Sequence, residues 1–484
     1  MGYLTSPTGW AVVLAVTTLF VFLQSRRSKS RQSSLPPGPP VTNWLLGHLS
    51  ILPATKPWKI YTEWGRQYGP ILHLRAATQH MIFLSSLEDC SELLEKRSNL
   101  YSDRPTYTMA ELMGWDFNAG VLPYGPRWRR QRRLFDQMFS RKVASLSYRP
   151  QQSRKINDML YDLLTCPEDF RDHVKTMSAA IVMSTAYGYD VKPKGDHFVK
   201  IAEEAIERIA LAVVPGAALV NAMPIMKHLP SWFPGAGFQK IASDTKKLTI
   251  QMRQEPFKHA KKKMEAGTPA DCIVSKLLPS CKTNEEVGDL QEFAAMIYAA
   301  GADTTTVSMN SFIYAMAVFP EVQRKAQQEI DKVIGRERFP TFEDWESLPY
   351  TEAIMREILR WKPVLPLGVA HRVTEDDIYK GYLIPKGALI LVNVWAISRD
   401  ESRYKDAEMF NPDRFLDELG ELNDDECDFT FGFGRRICPG RHMGRATLWL
   451  SMATTLWAFN MGKAKDASGN EIPISGEYSD GMIR

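Results

Sequence analysis

Ten consecutive residues, Phe431-Gly432-Phe433-Gly434-Arg435-Arg436-Ile437-Cys438-Pro439-Gly440, hold one cysteine in a setting that suits a metal-binding thiolate. A sulfur that must stay ionised and reach a metal needs positive potential around it. The aligned N–H groups of a helix starting after Pro439 supply that potential. Gly434 and Gly440 lack a Cβ, so the backbone can turn sharply before the sulfur and lie close to a flat ligand after it. Phe431 is placed to exclude water, and Arg436 offers a fork of donors to an anionic group of that ligand. A lone cysteine is more often a small buried hydrophobe. That reading leaves two glycines, a proline and an arginine at fixed offsets unexplained.

A second stretch with chemical potential is Ala299-Ala300-Gly301-Ala302-Asp303-Thr304-Thr305-Thr306. It lies inside a long apolar periodicity. Thr283-Asn284-Glu285-Glu286 is a capping-box signature, and Leu290, Phe293, Ile297, Phe312, Ile313 and Met316 continue at helical spacing until Pro320. The pattern predicts one helix of roughly 35 residues, about 50 Å, long enough to cross a domain. Gly301 and three threonines are poor helix formers in its middle. Threonine hydroxyls that bond back to the preceding turn would open the ladder there, a defect that commonly marks a site. The competing reading is a small-residue patch where another helix packs closely. Earlier in the chain, Arg127-Trp128-Arg129-Arg130-Gln131-Arg132-Arg133 puts five arginines in seven residues. On a helix Trp128 and Arg132 share a face, so an indole N–H and a guanidinium can meet one anion. Glu357 and Arg360, three apart, pair a carboxylate with a guanidinium on one helix face.

The cysteine loop resembles the haem-binding loop of the cytochrome P450 family, Phe-x-x-Gly-x-Arg-x-Cys-x-Gly, with every fixed position filled. The resemblance implies that Cys438 is the proximal thiolate ligand of the iron of haem b, a ligation that favours O–O cleavage. Ala300 to Thr304 is similar to the family's Ala-Gly-x-Asp/Glu-Thr motif, in the helix that passes over the haem. By that likeness Thr304 steadies the oxygen under reduction and orders water, while Asp303 relays protons from solvent. Trp128 and Arg132 resemble the family's Trp-x-x-x-Arg, which binds a haem propionate. Arg436 and Arg372 are implied to help, although family members differ on whether the residue at His371 or at Arg372 makes that contact. Glu357, Arg360 and Arg414 resemble the Glu-x-x-Arg pair and the arginine that completes its triad, a structural lock behind the cysteine loop. Arg129 and Arg133, on a neighbouring face, are either solvated or a dock for an acidic reductase.

What the resemblance implies is a mainly α fold with small β-sheets, the cytochrome P450 fold. Its activity would be that of a monooxygenase, inserting one oxygen atom of O2 into a lipophilic small molecule. Electrons would come from NADPH through NADPH-cytochrome P450 reductase, with or without cytochrome b5. Ala370-His371-Arg372-Val373-Thr374-Glu375-Asp376-Asp377 and Gly381-Tyr382-Leu383-Ile384-Pro385-Lys386-Gly387 look like fungal microsomal members of secondary metabolism, with terpenoid, polyketide and indole substrates all open. Family substrate regions map to Tyr107–Val121, Leu211–Val220, Ile297–Thr305 and Val364–Val369, which are apolar with few charges. Two rival readings are a P450-fold isomerase or dehydratase that needs no O2, against which Asp303 and Thr304 speak, and an inactive haem-binding paralogue. The family's terminal β-hairpin is expected to be short here.

These residues must be positioned by a large core, and 44% hydrophobic side chains in 484 residues provide one. A net charge of +4 gives no global pull toward nucleic acid, so none is expected as a partner. The cysteines Cys90, Cys166, Cys272, Cys281, Cys427 and Cys438 form no C-x-x-C pair, which argues against a zinc site or a disulfide framework. Trp10 to Leu23 is an uninterrupted apolar and threonine run, and counting from Tyr3 it is long enough to span a bilayer. Arg26, Arg27, Lys29 and Arg31 follow it, which orients the remainder toward the cytoplasm and disfavours a cleaved signal peptide. We read residues 1–25 as a single-pass anchor in the endoplasmic reticulum membrane, 26–40 as a basic and proline-rich linker, and 41–484 as one catalytic domain, monomeric. Apolar residues between Met223 and Pro234 form either a buried loop or a surface resting on membrane lipid.

Overall fold

Proline and capping residues set where the helices that carry the site begin. Pro57 opens α1 (Pro57–Tyr68) and Pro126 opens α2 (Pro126–Met138), the position where a missing N–H costs nothing. Then come α3 (Arg149–Thr165), α4 (Phe170–Tyr187), α5 (His197–Val213), α6 (Phe238–Glu265), α7 (Asn284–Val318), α8 (Pro320–Val333), α9 (Pro349–Trp361) and α10 (Arg441–Ala458). The computed structural model describes residues 35–213, 219–230, 232–479 and 483. The expected anchor and most of the linker lie outside them, as do residues 214–218 of the Leu211–Val220 substrate candidate. Among the described residues no helix is long and apolar enough to cross a membrane.

The axis of the fold is α7. Its capping box forms as the sequence predicts: Thr283 Oγ1 accepts from the Glu286 N–H, and Glu286 Oε2 accepts from the Thr283 N–H, each at 3.2 Å. The helix then runs 35 residues, apolar on most faces, as an element enclosed by others must be. The expected opening of the ladder at the threonines does not occur. Thr304 and Thr306 do donate back to Ala300 O (3.0 Å) and Ala302 O (2.9 Å), yet the segment stays α-helical throughout. A carbonyl oxygen has two lone pairs and accepts the hydroxyl in addition to the ladder N–H. The close-packing reading of Gly301 does hold, since a Cβ there would sit 2.6 Å from Val182 Cγ1 of α4.

A four-stranded sheet flanks the helices, formed from β1 (Ile71–Ala76), β2 (Gln79–Leu84), β3 (His371–Arg372) and β6 (Leu389–Val392) in the order β1-β2-β6-β3. β1 and β2 form a hairpin (Ile71↔Leu84), β6 joins β2 in parallel (Met81↔Leu389), and β3 closes antiparallel (His371↔Ile390). β4 (Asp377–Tyr379) and β5 (Tyr382–Ile384) make a separate hairpin, its two turn residues Lys380 and Gly381 both at positive φ. The last of these strands ends at Val392. Asn393 accepts from the Ala396 N–H and starts a helical turn, Val394–Ile397. Met223, Ile225, Trp232 and Phe233 are exposed, so the side chains between 223 and 234 that the structure describes are not those of a buried loop.

Candidate active site

The cysteine loop is held by glycines that nothing larger can replace. Gly434 has φ +54°, and a Cβ there would lie 2.1 Å from Leu94 O, so the loop backbone presses directly on the chain at residues 94–95. Two short turns, Asp428–Phe431 and Gly434–Arg436, lead to Cys438, whose N–H donates to Phe431 O at 2.8 Å. α10 begins immediately afterward, with Gly440 as its N-cap. Burial raises the Cys438 thiol above its ordinary range, while the Gly440 and Arg441 N–H groups and the charges of Arg132 and Arg441 pull the other way. A coordinated metal ion would complete that shift, since a coordinating thiol is deprotonated outright.

Cys438 opens onto a cavity of about 190 Å³ roofed by Ala300, Gly301, Thr304 and Thr305 of α7. Gly440 lines it too, and a Cβ there would project beside the sulfur, 4.0 Å from Sγ. At one end stands a group of cations. Arg436 lies 4.2 Å from the centroid of Trp128 and donates to Ser102 O (2.8 Å), Ala119 O (3.2 Å) and Leu122 O (2.8 Å). Arg104 donates to Val369 O (2.6 Å) and Ala370 O (2.7 Å), and its Nε is buried with no partner among the described residues. Arg132 donates to Ile437 O at 2.6 Å and pairs with Asp136. No carboxylate lies within ion-pair distance of Arg104 or Arg436 among the described residues, and burial together with Arg104 holds the Arg436 guanidinium down to about 8. The Asp103 carboxylate acts on both guanidiniums only from beyond ion-pair distance, so the buried cations leave an excess positive charge that the carboxylates of a haem would balance. The open space beside a thiol, the glycine at 440 and the unpaired guanidinium nitrogen all fit that cofactor.

The family model described as cytochrome P450 matches residues 36–475. The chain belongs to the cytochrome P450 family. Cytochrome P450 monooxygenase 98 of Postia placenta is 38% identical over 480 residues, covering 97% of this chain and 91% of its own length. Cytochrome P450 monooxygenase claR of Ampulloclitocybe clavipes is 38% identical over 456 residues, 94% and 85% of the two chains. Cytochrome P450 monooxygenase ple1 of Rhodocybe pseudopiperita is 38% identical over 464 residues, 94% and 88%. Cytochromes P450 bind haem through a cysteine thiolate, and haem is the cofactor of this chain.

Within the P450 the residues expected at the site do not all converge. Cys438, Trp128, Arg132, Arg436 and Thr304 line one cavity. Arg372 does not. In a strand neighbouring side chains point to opposite faces, and β3 turns His371 inward, where it is buried with Nδ1 2.8 Å from Tyr101 O. Burial and the nearby Arg104 and Arg436 charges push its imidazole well below the ordinary range, so it is neutral. Of the two alternatives left open by the sequence, His371 is the one beside the cationic group. Arg104 was not anticipated at all; a lone arginine before Pro105 gives no periodic or spacing signal. Asp303 is displaced from the cavity around the helix and faces Glu203 of α5 and Lys175 of α4. Those two form an ion pair at 2.7 Å. Burial and Glu203 raise the Asp303 carboxyl, and Lys175 opposes them.

Proposed function

We propose that this cytochrome P450 monooxygenase oxygenates an uncharged, lipophilic small molecule of fungal secondary metabolism. Its electrons come from NADPH through a membrane-bound reductase. The observation that carries the reading is the placement of Cys438, at the start of α10, and Thr304, on α7, in one cavity. When bound, haem supplies reductive activation of O2 at a thiolate-ligated iron. The chain supplies everything that positions and protonates. Cys438 is the thiolate, steadied by the Gly440 and Arg441 N–H groups. Arg104, Trp128, Arg132, His371 and Arg436 hold the propionate end. The Thr304 hydroxyl gives its proton to Ala300 O, which leaves its oxygen lone pairs free to order a water in the cavity. Asp303, its carboxyl raised by burial and by Glu203, takes a proton more readily than an exposed aspartate and is the neighbour of Thr304 on α7. Ile181, Val182, Met296 and Ile297 make the remaining wall apolar, which favours an uncharged substrate.

The test is turnover with a fungal reductase, NADPH and O2 against terpenoid, polyketide and indole panels. Thr304→Ala is expected to consume NADPH at a similar rate while product per NADPH falls by roughly tenfold, the lower end for loss of a group that positions the proton-delivering water. Hydrogen peroxide or water makes up the difference. Unchanged coupling would remove Thr304 from this role, and absence of any oxygenated product from haem-loaded protein would favour the inactive or isomerase readings.

Exposed Trp232, Phe233 and Ile225 support a second membrane contact beyond the anchor, on the cytoplasmic side of the endoplasmic reticulum. A chain lacking residues 1–34 should still sediment with phospholipid vesicles. Adding Trp232→Ser and Phe233→Ser should weaken that binding by roughly tenfold or more, given about 1.5–3 kcal/mol per large side chain withdrawn from water. Equal sedimentation with and without the two substitutions would assign membrane contact to the anchor alone. The exposed Arg129 and Arg133, which line no part of the cavity, are suited to an acidic reductase surface.

A further inference from the structure

Besides Arg129 and Arg133, two more arginines of the 127–133 run take no part in the cavity. Both reach α7 instead. Arg130 donates to Asp289 (2.8 Å) and Glu285 (2.9 Å). Arg127 donates to Glu292 at 2.8 Å and, on its other side, to Asp116 at 3.4 Å. Glu292 is the hub of this arrangement. From α6, Arg253 Nη1 lies 3.7 Å from the Glu292 carboxylate, and the Arg253 guanidinium stands 5.6 Å from the ring centroid of Phe117. Phe117 stacks on Trp115, both buried, and a few residues on Ala119 and Gly120 form part of the cavity wall. One carboxylate on α7 thus holds the two arginines, one on α2 and one on α6, that reach Asp116 and Phe117 of segment 113–122.

The network is not fully satisfied. Glu292 Oε2, Arg253 Nε and Trp115 Nε1 are buried and find no partner among the described residues. Each such atom has given up hydration without a replacement, so the closed arrangement is held less firmly than an apolar core would be. The same segment is fastened from inside by Arg436, which binds Ala119 O and Leu122 O, so Glu292 acts only on its outer attachment, through Arg127 and Arg253.

We propose that Glu292 is a positioning residue that latches segment 113–122 over the cavity and so limits the entry of bulky ligands, without touching them. This rests on the reading of the cavity as the haem site. The test uses haem-loaded parent, Glu292→Gln and Arg127→Gln. It follows binding of 4-phenylimidazole to the oxidised proteins and of carbon monoxide to the reduced ones by stopped-flow absorbance. Association of 4-phenylimidazole should be about fivefold faster in both variants, the factor that one partly buried ion pair supports, with carbon monoxide binding unchanged. Added salt should accelerate 4-phenylimidazole entry in the parent more than in the variants. Equal 4-phenylimidazole rates in all three proteins would overturn the latch, and so would equal acceleration of both ligands, which marks general loosening. A parent that gives no spectral response to 4-phenylimidazole would instead overturn the haem reading itself. If Glu292→Gln does not fold, Arg127→Gln removes the same contact from the exposed side and decides the matter.

Discussion

Glu357→Ala is expected to yield little or no soluble haem protein. The Glu357 and Arg360 side chains are fully buried and joined by two hydrogen bonds, 2.6 and 2.7 Å. Glu357 also accepts from the Asn411 N–H at 2.7 Å and pairs with Arg414 at 3.3 Å. Arg360 uses its remaining donors on Ser398 O (2.7 Å), Ala407 O (2.8 Å) and Met409 O (3.2 Å). One carboxylate therefore fixes α9 against the 398–414 stretch that leads to the cysteine loop. Removing it leaves a buried guanidinium without counter-charge, a loss of about 3–5 kcal/mol. A domain's whole stability is about 5–15 kcal/mol. By contrast, Lys96→Ala removes a lysine from a solvent-screened pair with Glu92 and should leave stability nearly unchanged. Urea unfolding and haem absorbance of the purified proteins measure both. Stable holoprotein from Glu357→Ala at parental yield would contradict the structural role. Glu357 lines no part of the cavity, so any effect it has on haem must pass through this scaffold.

How much of this was legible beforehand depends on how local each signal is. The Thr283–Glu286 capping box and the apolar period that follows are set by neighbours three and four apart, and α7 appears with nearly the expected bounds. The cysteine loop was legible because its glycines, arginine and cysteine fall within ten residues, although the groups that Gly434 and Arg436 meet lie elsewhere in the chain. The prediction of a helix defect at the threonines failed because neither low propensity nor hydroxyl back-bonding is enough to open the ladder here. Packing of α7 on α4 at Gly301 overrides that preference, and carbonyls accept the hydroxyls without releasing the ladder. His371 and Arg104 required knowledge that no local pattern contains. Which of residues 371 and 372 faces inward is decided by the pairing of β3 with β6, and a two-residue strand carries no readable alternation. Arg104 reaches carbonyls more than 250 residues away in the chain. The five-arginine run was legible as a helix face but not as a division of labour. Its members serve the cavity, the latch on α7 and the surface, and only the positions of three other elements separate them.

Cys438→Ser is expected to abolish the thiolate-type carbon monoxide spectrum and all monooxygenation, whereas Cys427→Ser should keep both. The two cysteines lie on the same stretch of chain, and Cys427 is the more deeply buried, so burial alone would choose wrongly between them. Their surroundings differ in kind. Cys427 packs among Tyr404, Phe415 and Phe429, with its sulfur 3.8 Å from the Tyr404 hydroxyl, and burial and Asp425 drive its thiol far up. Nothing near it rewards ionisation enough to make it a metal ligand, and it borders no part of the cavity. Serine there buries a hydroxyl in place of a weakly polar thiol, a stability cost of about 1–3 kcal/mol with the haem site intact. At Cys438 the balance runs the other way. Helix N–H groups point at the sulfur, Arg132 and Arg441 add charge, and the cavity opens directly beside it. A serine hydroxyl in that position ionises far less readily than a thiol and is a harder donor, so iron held there would lose the electron-rich ligation that O–O cleavage needs. Absorbance difference spectra with carbon monoxide, read beside melting temperature, separate the two outcomes. A normal thiolate spectrum from Cys438→Ser, or its loss from a well-folded Cys427→Ser, would move the ligand to the other cysteine and with it the whole placement of the cavity relative to α7.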